Sequence, residues 1–200
     1  MIAMGVAKPP VWFLDTSSLV SMAVDPGLQS TVQEELMPQK CVLLDVVQDE
    51  LETLARGRGV AKRLSEMALT QLAWLGSQVP TESLVQQLEV SQIQESVRGA
   101  RPLRHVREHW AEAVAIDIGS RLTSSRAFLL SEDYNARVEA KKREVEPLSL
   151  HKLLSQMVIR HQLEALDAER YAKALHQVER GPECSAHEFA AGALGRVGRP

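Results

Sequence analysis

The run Val11-Trp12-Phe13-Leu14 ends in Asp15 and is followed at once by Thr16-Ser17-Ser18. Four apolar residues without alternation read as a strand buried on both faces, the pattern of a parallel sheet rather than of a half-solvated antiparallel one. Pro9-Pro10 in front cannot extend a ladder, so the strand is expected to begin near Val11. Ligands of open parallel sheets sit beyond the carboxyl ends of the strands, and Asp15 stands at such an end. Asp followed by hydroxyl residues is also an ordinary way to start a helix. Capping is therefore the bland alternative, and the rest of the chain has to decide between the two.

The pattern recurs. Cys41-Val42-Leu43-Leu44 precedes Asp45, and Ala127-Phe128-Leu129-Leu130 precedes Ser131-Glu132-Asp133. Val145 to Leu148 predicts a short last strand, and the alternation of Leu84 to Val90 predicts another. Helices are expected over Ser17 to Ala23 and, after the Asp25-Pro26-Gly27 turn, over Leu28 to Leu36. Glu50 is expected in the first turn of a helix that carries Leu51 and Leu54. A long helix should run from Val60 to about Gln78, and others over Trp110 to Leu122, Asn135 to Lys142, Leu150 to Gln162 and Leu163 to Arg180. Gly119 would let its helix pack closely on a neighbour. The stripe Ala168, Tyr171, Leu175 and Val178 is expected to cover the sheet of the same chain, with a partner as the alternative. Strands alternating with helices predict an α/β class with a parallel sheet. Residues 181–200 show no sustained pattern and read as a flexible tail.

Composition bounds the function. Two hundred residues that are 44% hydrophobic can bury a core of useful size, and the net charge of −3 excludes a generally basic coat for nucleic acid while permitting a local patch. Cys41 and Cys184 provide no disulfide framework, and Cys41 reads as a small core residue. No stretch reaches the roughly 20 apolar residues of a membrane span, and no signal-peptide pattern opens the chain. The expected setting is cytoplasmic.

Four acids then share one kind of position, just past a buried strand or at the start of a helix: Asp15, Glu50, Glu112 and Asp133. Each alone has a bland reading as a helix-terminal charge, but four at one end of one sheet are harder to explain that way. Clustered carboxylates repel and call for cations. Oxygen ligands suit Mg²⁺ or Mn²⁺ better than zinc, and such ions support hydrolysis of phosphodiesters. Asp117 lies deeper along the helix of Glu112, by roughly 7.5 Å, and is the rival third acid. Arg56, Arg58, Lys62 and Arg63 form one basic group, and Arg98, Arg101, Arg104 and Arg107 another. Arg56, Arg58 and Arg104 are the candidate phosphate contacts, against the alternative of solvated surface. His105 and His109 have the spacing of a zinc pair but lack further ligands.

Leu14-Asp15-Thr16-Ser17, Val47-Gln48-Asp49-Glu50-Leu51, Glu112-Ala113-Val114-Ala115-Ile116 and Leu129-Leu130-Ser131-Glu132-Asp133-Tyr134-Asn135-Ala136-Arg137 occur in that order. Together they resemble the four acidic motifs of the PIN domain family, metal-dependent ribonucleases that include the toxins of VapBC-type toxin–antitoxin pairs. The resemblance spans roughly Val11 to Leu154. It implies a three-layer α/β/α fold with a central parallel sheet of four to five strands, plus C-terminal helices. It further implies Mg²⁺ or Mn²⁺ at Asp15, Glu50, Glu112 and Asp133, with Ser17 and Ser131 orienting carboxylates or water. RNA would be the substrate, an antitoxin protein a candidate partner, and a homodimer a candidate assembly. Glu112 stands where Asp is common in the family, and the chain is longer than a typical toxin. The domain reading is 1–154 for the nuclease, 155–180 for a helical extension and 181–200 for the tail.

Readings from other classes remain. One is a catalytically silent PIN-like module that binds RNA or a protein. A phosphoacceptor receiver domain would want paired acids at the end of the first strand, where only Asp15 occurs. A haloacid-dehalogenase-type phosphatase would want a second Asp two residues after Asp15, and Ser17 is there instead.

Overall fold

The computed structural model describes residues 8–37, 39–102 and 106–191. Four parallel strands, β1 (Pro10–Leu14), β2 (Lys40–Val42), β3 (Arg126–Leu130) and β4 (Glu146–Leu148), form one sheet in the order β2-β1-β3-β4. With ten α-helices among the described residues, the chain is an α/β protein compatible with three α/β/α layers. β1 begins one residue earlier than expected, with Pro10 opposite Arg126. A proline as first strand residue forfeits no ladder bond.

The strand order places a switch point at the centre. From β1 the chain goes to one neighbour, β2, and returns to the other, β3. The crevice between the carboxyl ends of β1 and β3 is therefore where such a sheet admits a ligand. Trp12, Phe13 and Leu14 pair in register with Phe128, Leu129 and Leu130. Phe13, Leu14, Leu129 and Leu130 are all buried, as uninterrupted apolar strands require.

Helices α1 (Thr16–Met22), α2 (Pro26–Leu36), α3 (Asp45–Ala55) and α4 (Gly59–Thr70) fill the first half. Asp25 caps α2 by accepting from the N–H groups of Gly27 and Leu28 at 2.7 and 3.2 Å. The helix of Glu50 starts earlier than the sequence suggests. Asp45 opens α3, where its carboxylate accepts from the Thr81 N–H at 3.0 Å and hydroxyl at 2.7 Å. Glu50 thus sits in the second turn, not the first. The long helix expected to Gln78 stops at Thr70 and passes into a 3-10 turn, Leu72–Leu75, which buries Leu72 and Leu75 before Gly76 takes φ 79°.

The strand expected at Leu84 to Val90 is absent among the described residues. Its second half belongs to α5 (Gln87–Arg98), which buries Val90, Ile93 and Val97 while Leu88 is 71% exposed. The 3-4 spacing of those three buries one helical face, and this outweighs a short alternation. Helix α6 (Trp110–Ser120) then lies under the sheet, where a Cβ at Gly119 would come within 3.2 Å of the Ala127 Cβ and 3.4 Å of the Phe13 ring. This is the close approach expected of Gly119.

After β3 come α7 (Tyr134–Lys142), β4, α8 (Leu150–Ile159) and α9 (Ala165–Gln177). Ala168, Tyr171 and Leu175 of α9 are buried within the chain, and the Tyr171 hydroxyl reaches Thr31 of α2 at 2.9 Å. The segment from Gly181 is not patternless as expected. Ser185 and Glu188 form a reciprocal capping box for α10 (Ala186–Ala190), whose Phe189 is fully buried. No helix among the described residues is long and apolar enough to cross a membrane.

Candidate active site

Asp15 leaves β1 with its N–H donated to the Leu130 carbonyl at 3.0 Å, which fixes it at the carboxyl end of the two central strands. It occupies the position before α1, yet its side chain makes no cap hydrogen bond. The bland capping role is therefore not what this carboxylate does. Oδ2 instead accepts from the Ser17 hydroxyl at 2.5 Å and the Ser131 hydroxyl at 2.8 Å. The Ser131 oxygen also accepts from the Asp133 N–H at 3.1 Å, and the Ser17 oxygen from the Glu132 N–H at 3.1 Å. Both serines thus tie the β1 and β3 termini together through one buried carboxylate.

Glu50 comes in from α3 and Glu112 from the first turn of α6. The Thr16 hydroxyl, next to Asp15, donates to Glu50 Oε2 at 2.9 Å. Burial above all, then the charges of Glu112 and Glu50, hold the Asp15 carboxyl well above its ordinary range, against the two serine bonds. Glu50 is pushed to about 7, first by burial and then by Glu112, with Thr16 and His109 opposing. Three carboxylates from β1, α3 and α6 therefore share one poorly hydrated neighbourhood.

Asp133 closes the group on the other side and is bound differently. It caps α7 by accepting from the Ala136 N–H at 2.9 Å, while Oδ2 lies 3.6 Å from Arg101 and 3.8 Å from His109 Nδ1. The same His109 nitrogen is 3.5 Å from Glu112 Oε1. That bond, more than the nearby charges, raises the imidazole pKa against the cost of its burial. His109 has φ 61°, a left-handed backbone in a residue that is not glycine. Glu144, His161 and Glu179 share this geometry, but each follows a helix C-terminus, where it closes the last turn. His109 instead precedes a helix, where a left-handed residue does not close a last turn. Its Nε2 is buried without a hydrogen-bond partner.

Asp117, the rival third acid, faces elsewhere. It is bound by Arg121 at 2.7 Å and accepts from the Gln86 N–H at 3.1 Å, which fixes the entry to α5. Arg56 and Arg58 stand beyond the end of α3, and Arg56 is six residues, or roughly 9 Å of helix, past Glu50. Arg56 pairs with Glu52 at 3.5 Å and its side chain is 78% exposed. Arg104 and His105 lie outside the described residues. Among the described residues, Arg101 lies within 4 Å of Asp133, and His109 within 4 Å of Glu112 and Asp133. Cys184 precedes the Ser185 cap of α10, and His187 lies within that helix.

Two further residues brace the site, and of these Arg180 had no signal in the sequence. Arg180, just past α9, donates to the Ser17 carbonyl and the Ser21 hydroxyl, both at 3.2 Å, and braces the loop behind Asp15. Burial lowers its pKa, opposed by Glu132 and Asp15. Glu132 accepts from the Leu150 N–H at 2.6 Å and lies 3.3 Å from His151, so this neighbour of Asp133 anchors α8.

Among the described residues, no group of three or more His, Cys, Asp or Glu side chains is placed to hold a metal ion. The donor chemistry nevertheless suits a hard divalent cation. Asp15, Glu50 and Glu112 present oxygen ligands, and their mutual repulsion is what a cation would relieve. No family model matches the chain, and no curated protein or solved structure matches it either.

Proposed function

We propose that the protein is a PIN-like, Mg²⁺- or Mn²⁺-dependent endoribonuclease, with Asp15, Glu50, Glu112 and Asp133 as the metal-holding and catalytic acids. One observation carries this reading: the buried Asp15 at the switch point makes no cap bond and is opposed by two further carboxylates, each from a different element. A purely structural aspartate would be paired with a cation or an N–H group. A bound divalent cation would supply an activated water and charge stabilisation at the leaving oxygen. Ser17 and Ser131 hold Asp15 in one rotamer, and Thr16 holds Glu50 beside it. Arg101 supplies positive charge at the Asp133 side, where a phosphate could approach. The resemblance extends the proposal to a cytoplasmic toxin restrained by an antitoxin protein.

A second reading rests on His109 and Arg101. They already offset part of the acidic charge at Glu112 and Asp133, as they would in a module that binds RNA or a protein without turnover. The deciding experiment incubates single-stranded RNA with protein purified free of other nucleases, in Mn²⁺, Mg²⁺ and EDTA. Cleavage that needs the cation and disappears in Asp15→Asn supports the nuclease. RNA binding without cleavage in any metal supports the silent module.

A further inference from the structure

Beside the acids, α3 and the start of α6 enclose a cavity of about 270 Å³ lined by Val46, Asp49, Glu50, Thr53, Val106, Arg107, Trp110 and Ala111. Its walls are mostly apolar. Val46, Asp49, Glu50 and Thr53 lie on one face of α3 at helical spacing, and Trp110 and Ala111 open α6. We infer that this cavity holds one nucleobase of the RNA strand whose phosphate lies at the acidic site, an inference that rests on the nuclease reading.

Four features support a base rather than another occupant. Glu50 belongs both to the cavity and to the acidic cluster, and Ala111 adjoins Glu112, so an occupant sits within a residue's reach of the carboxylates. Trp110 offers an indole to stack on, which suits the π-face common to all bases. Arg107, with a side chain 76% exposed and 3.9 Å from Asp49, places a cation at the mouth for the flanking phosphate. The volume falls just below the roughly 300–1,000 Å³ of sites for drug-sized ligands, and so suits a single ring system.

Val106, one of the lining residues, is 80% exposed. A lone exposed valine is unremarkable, but an apolar wall over an indole-lined hollow is a surface for a flat aromatic ring. Asp49 and Thr53 provide polar edges against which exocyclic amino or carbonyl groups can be read.

The test uses fluorescence anisotropy with the full chain in EDTA, so that no strand is cut. The probes are a labelled single-stranded RNA octanucleotide and an abasic ribose-phosphate strand of the same length and charge. Wild type should bind the base-bearing strand more tightly than the abasic one, on the order of fivefold or more for one stacked base. Thr53→Leu, at an exposed helical position, fills the cavity and should erase the difference, whereas Thr53→Ser should keep it. Trp110→Leu should erase it as well; where that variant fails to fold, Thr53→Leu alone decides. Equal affinity of wild type for the two strands, or a difference that survives Thr53→Leu, overturns the assignment. Metal-dependent cleavage measured on the same preparation separates the two ideas. Cleavage without base preference rejects the cavity and keeps the nuclease, and base preference without cleavage does the reverse.

Discussion

Ser131 donates its hydroxyl to Oδ2 of Asp15 at 2.8 Å, joining two residues 116 positions apart at the ends of adjacent strands. That bond is buried, and the same oxygen accepts from the N–H of Asp133. One hydroxyl thus fixes both the first and the last acid of the cluster. In Ser131→Ala the carboxylate loses one of two donors and a backbone N–H loses its acceptor. The expected cost is about 1–3 kcal/mol, since partners left buried and unsatisfied carry the penalty. Denaturant unfolding measures it. A midpoint equal to wild type would mean that water replaces the hydroxyl on both partners.

The pH dependence follows from the raised carboxyls. Burial, then Glu112, lifts Glu50 from 4.5 to about 7. An acid with a higher pKa in the folded state binds its proton more tightly there. Its contribution to stability is complete below the unfolded value and is lost as pH rises through the folded one. His109, raised chiefly by its bond to Glu112, acts with the same sign. The metal-free protein should therefore lose stability from about pH 5 to pH 8, and Glu50→Gln should flatten the slope. Thermal melts in EDTA across that range give the answer, and a Tm that climbs with pH would show the acids to be compensated by charges other than those described.

Much of this arrangement was legible before any coordinates. Asp15 and Asp133 each follow an unbroken apolar strand, and a parallel sheet puts such residues at one end by construction. Helix rise sets depth and so favours Glu112 over Asp117 at the site end, and the structure has Asp117 bound by Arg121. Other parts were not legible, for physical reasons. Leu84 to Val90 alternates over too short a window to reveal that Val90, Ile93 and Val97 form a helical face. Charge density along the chain marks the basic stretches but not which of their members stand beside an acid, and Arg101 and His109 lie near Asp133 through tertiary placement. Arg180 is 163 positions from Ser17, and no local pattern marks a bond of that range. His109 left a local trace: it stands three residues before Glu112, a spacing that brings side chains together on a helix.

Asp117 should behave as a structural residue. It is buried, held by the Arg121 guanidinium, and accepts from the Gln86 N–H that leads into α5. Asp117→Asn keeps the shape and loses the charge, at an expected cost of about 1.5–3 kcal/mol for charge-assisted bonds. The discount for the partly exposed arginine favours the lower end. The variant should melt lower than wild type yet keep the same Mn²⁺-induced rise in Tm. A lost metal response with unchanged stability would make Asp117 the third ligand after all.

The sharpest test is Asp15→Asn. Asp15 is 2% exposed, pinned by backbone at the end of β1, and pressed toward its protonated form by burial and by Glu112 and Glu50. Asparagine resembles that protonated form: it keeps an acceptor for Ser17 and Ser131 and removes a charge from the cluster. The metal-free variant should therefore be as stable as wild type or slightly more so, because repulsion is relieved. The same change removes the ligand best held for a divalent cation, and a rigid ligand reorganises least on binding. Mg²⁺- or Mn²⁺-dependent RNA cleavage should fall to background. Binding to the native state alone raises Tm in proportion to ligand excess, so the Mn²⁺-induced rise seen in wild type should shrink in the variant. Melts with and without Mn²⁺, run beside the cleavage assay, test both halves. Wild-type cleavage by the variant would remove Asp15 from the chemistry, and the nuclease proposal would fail with it.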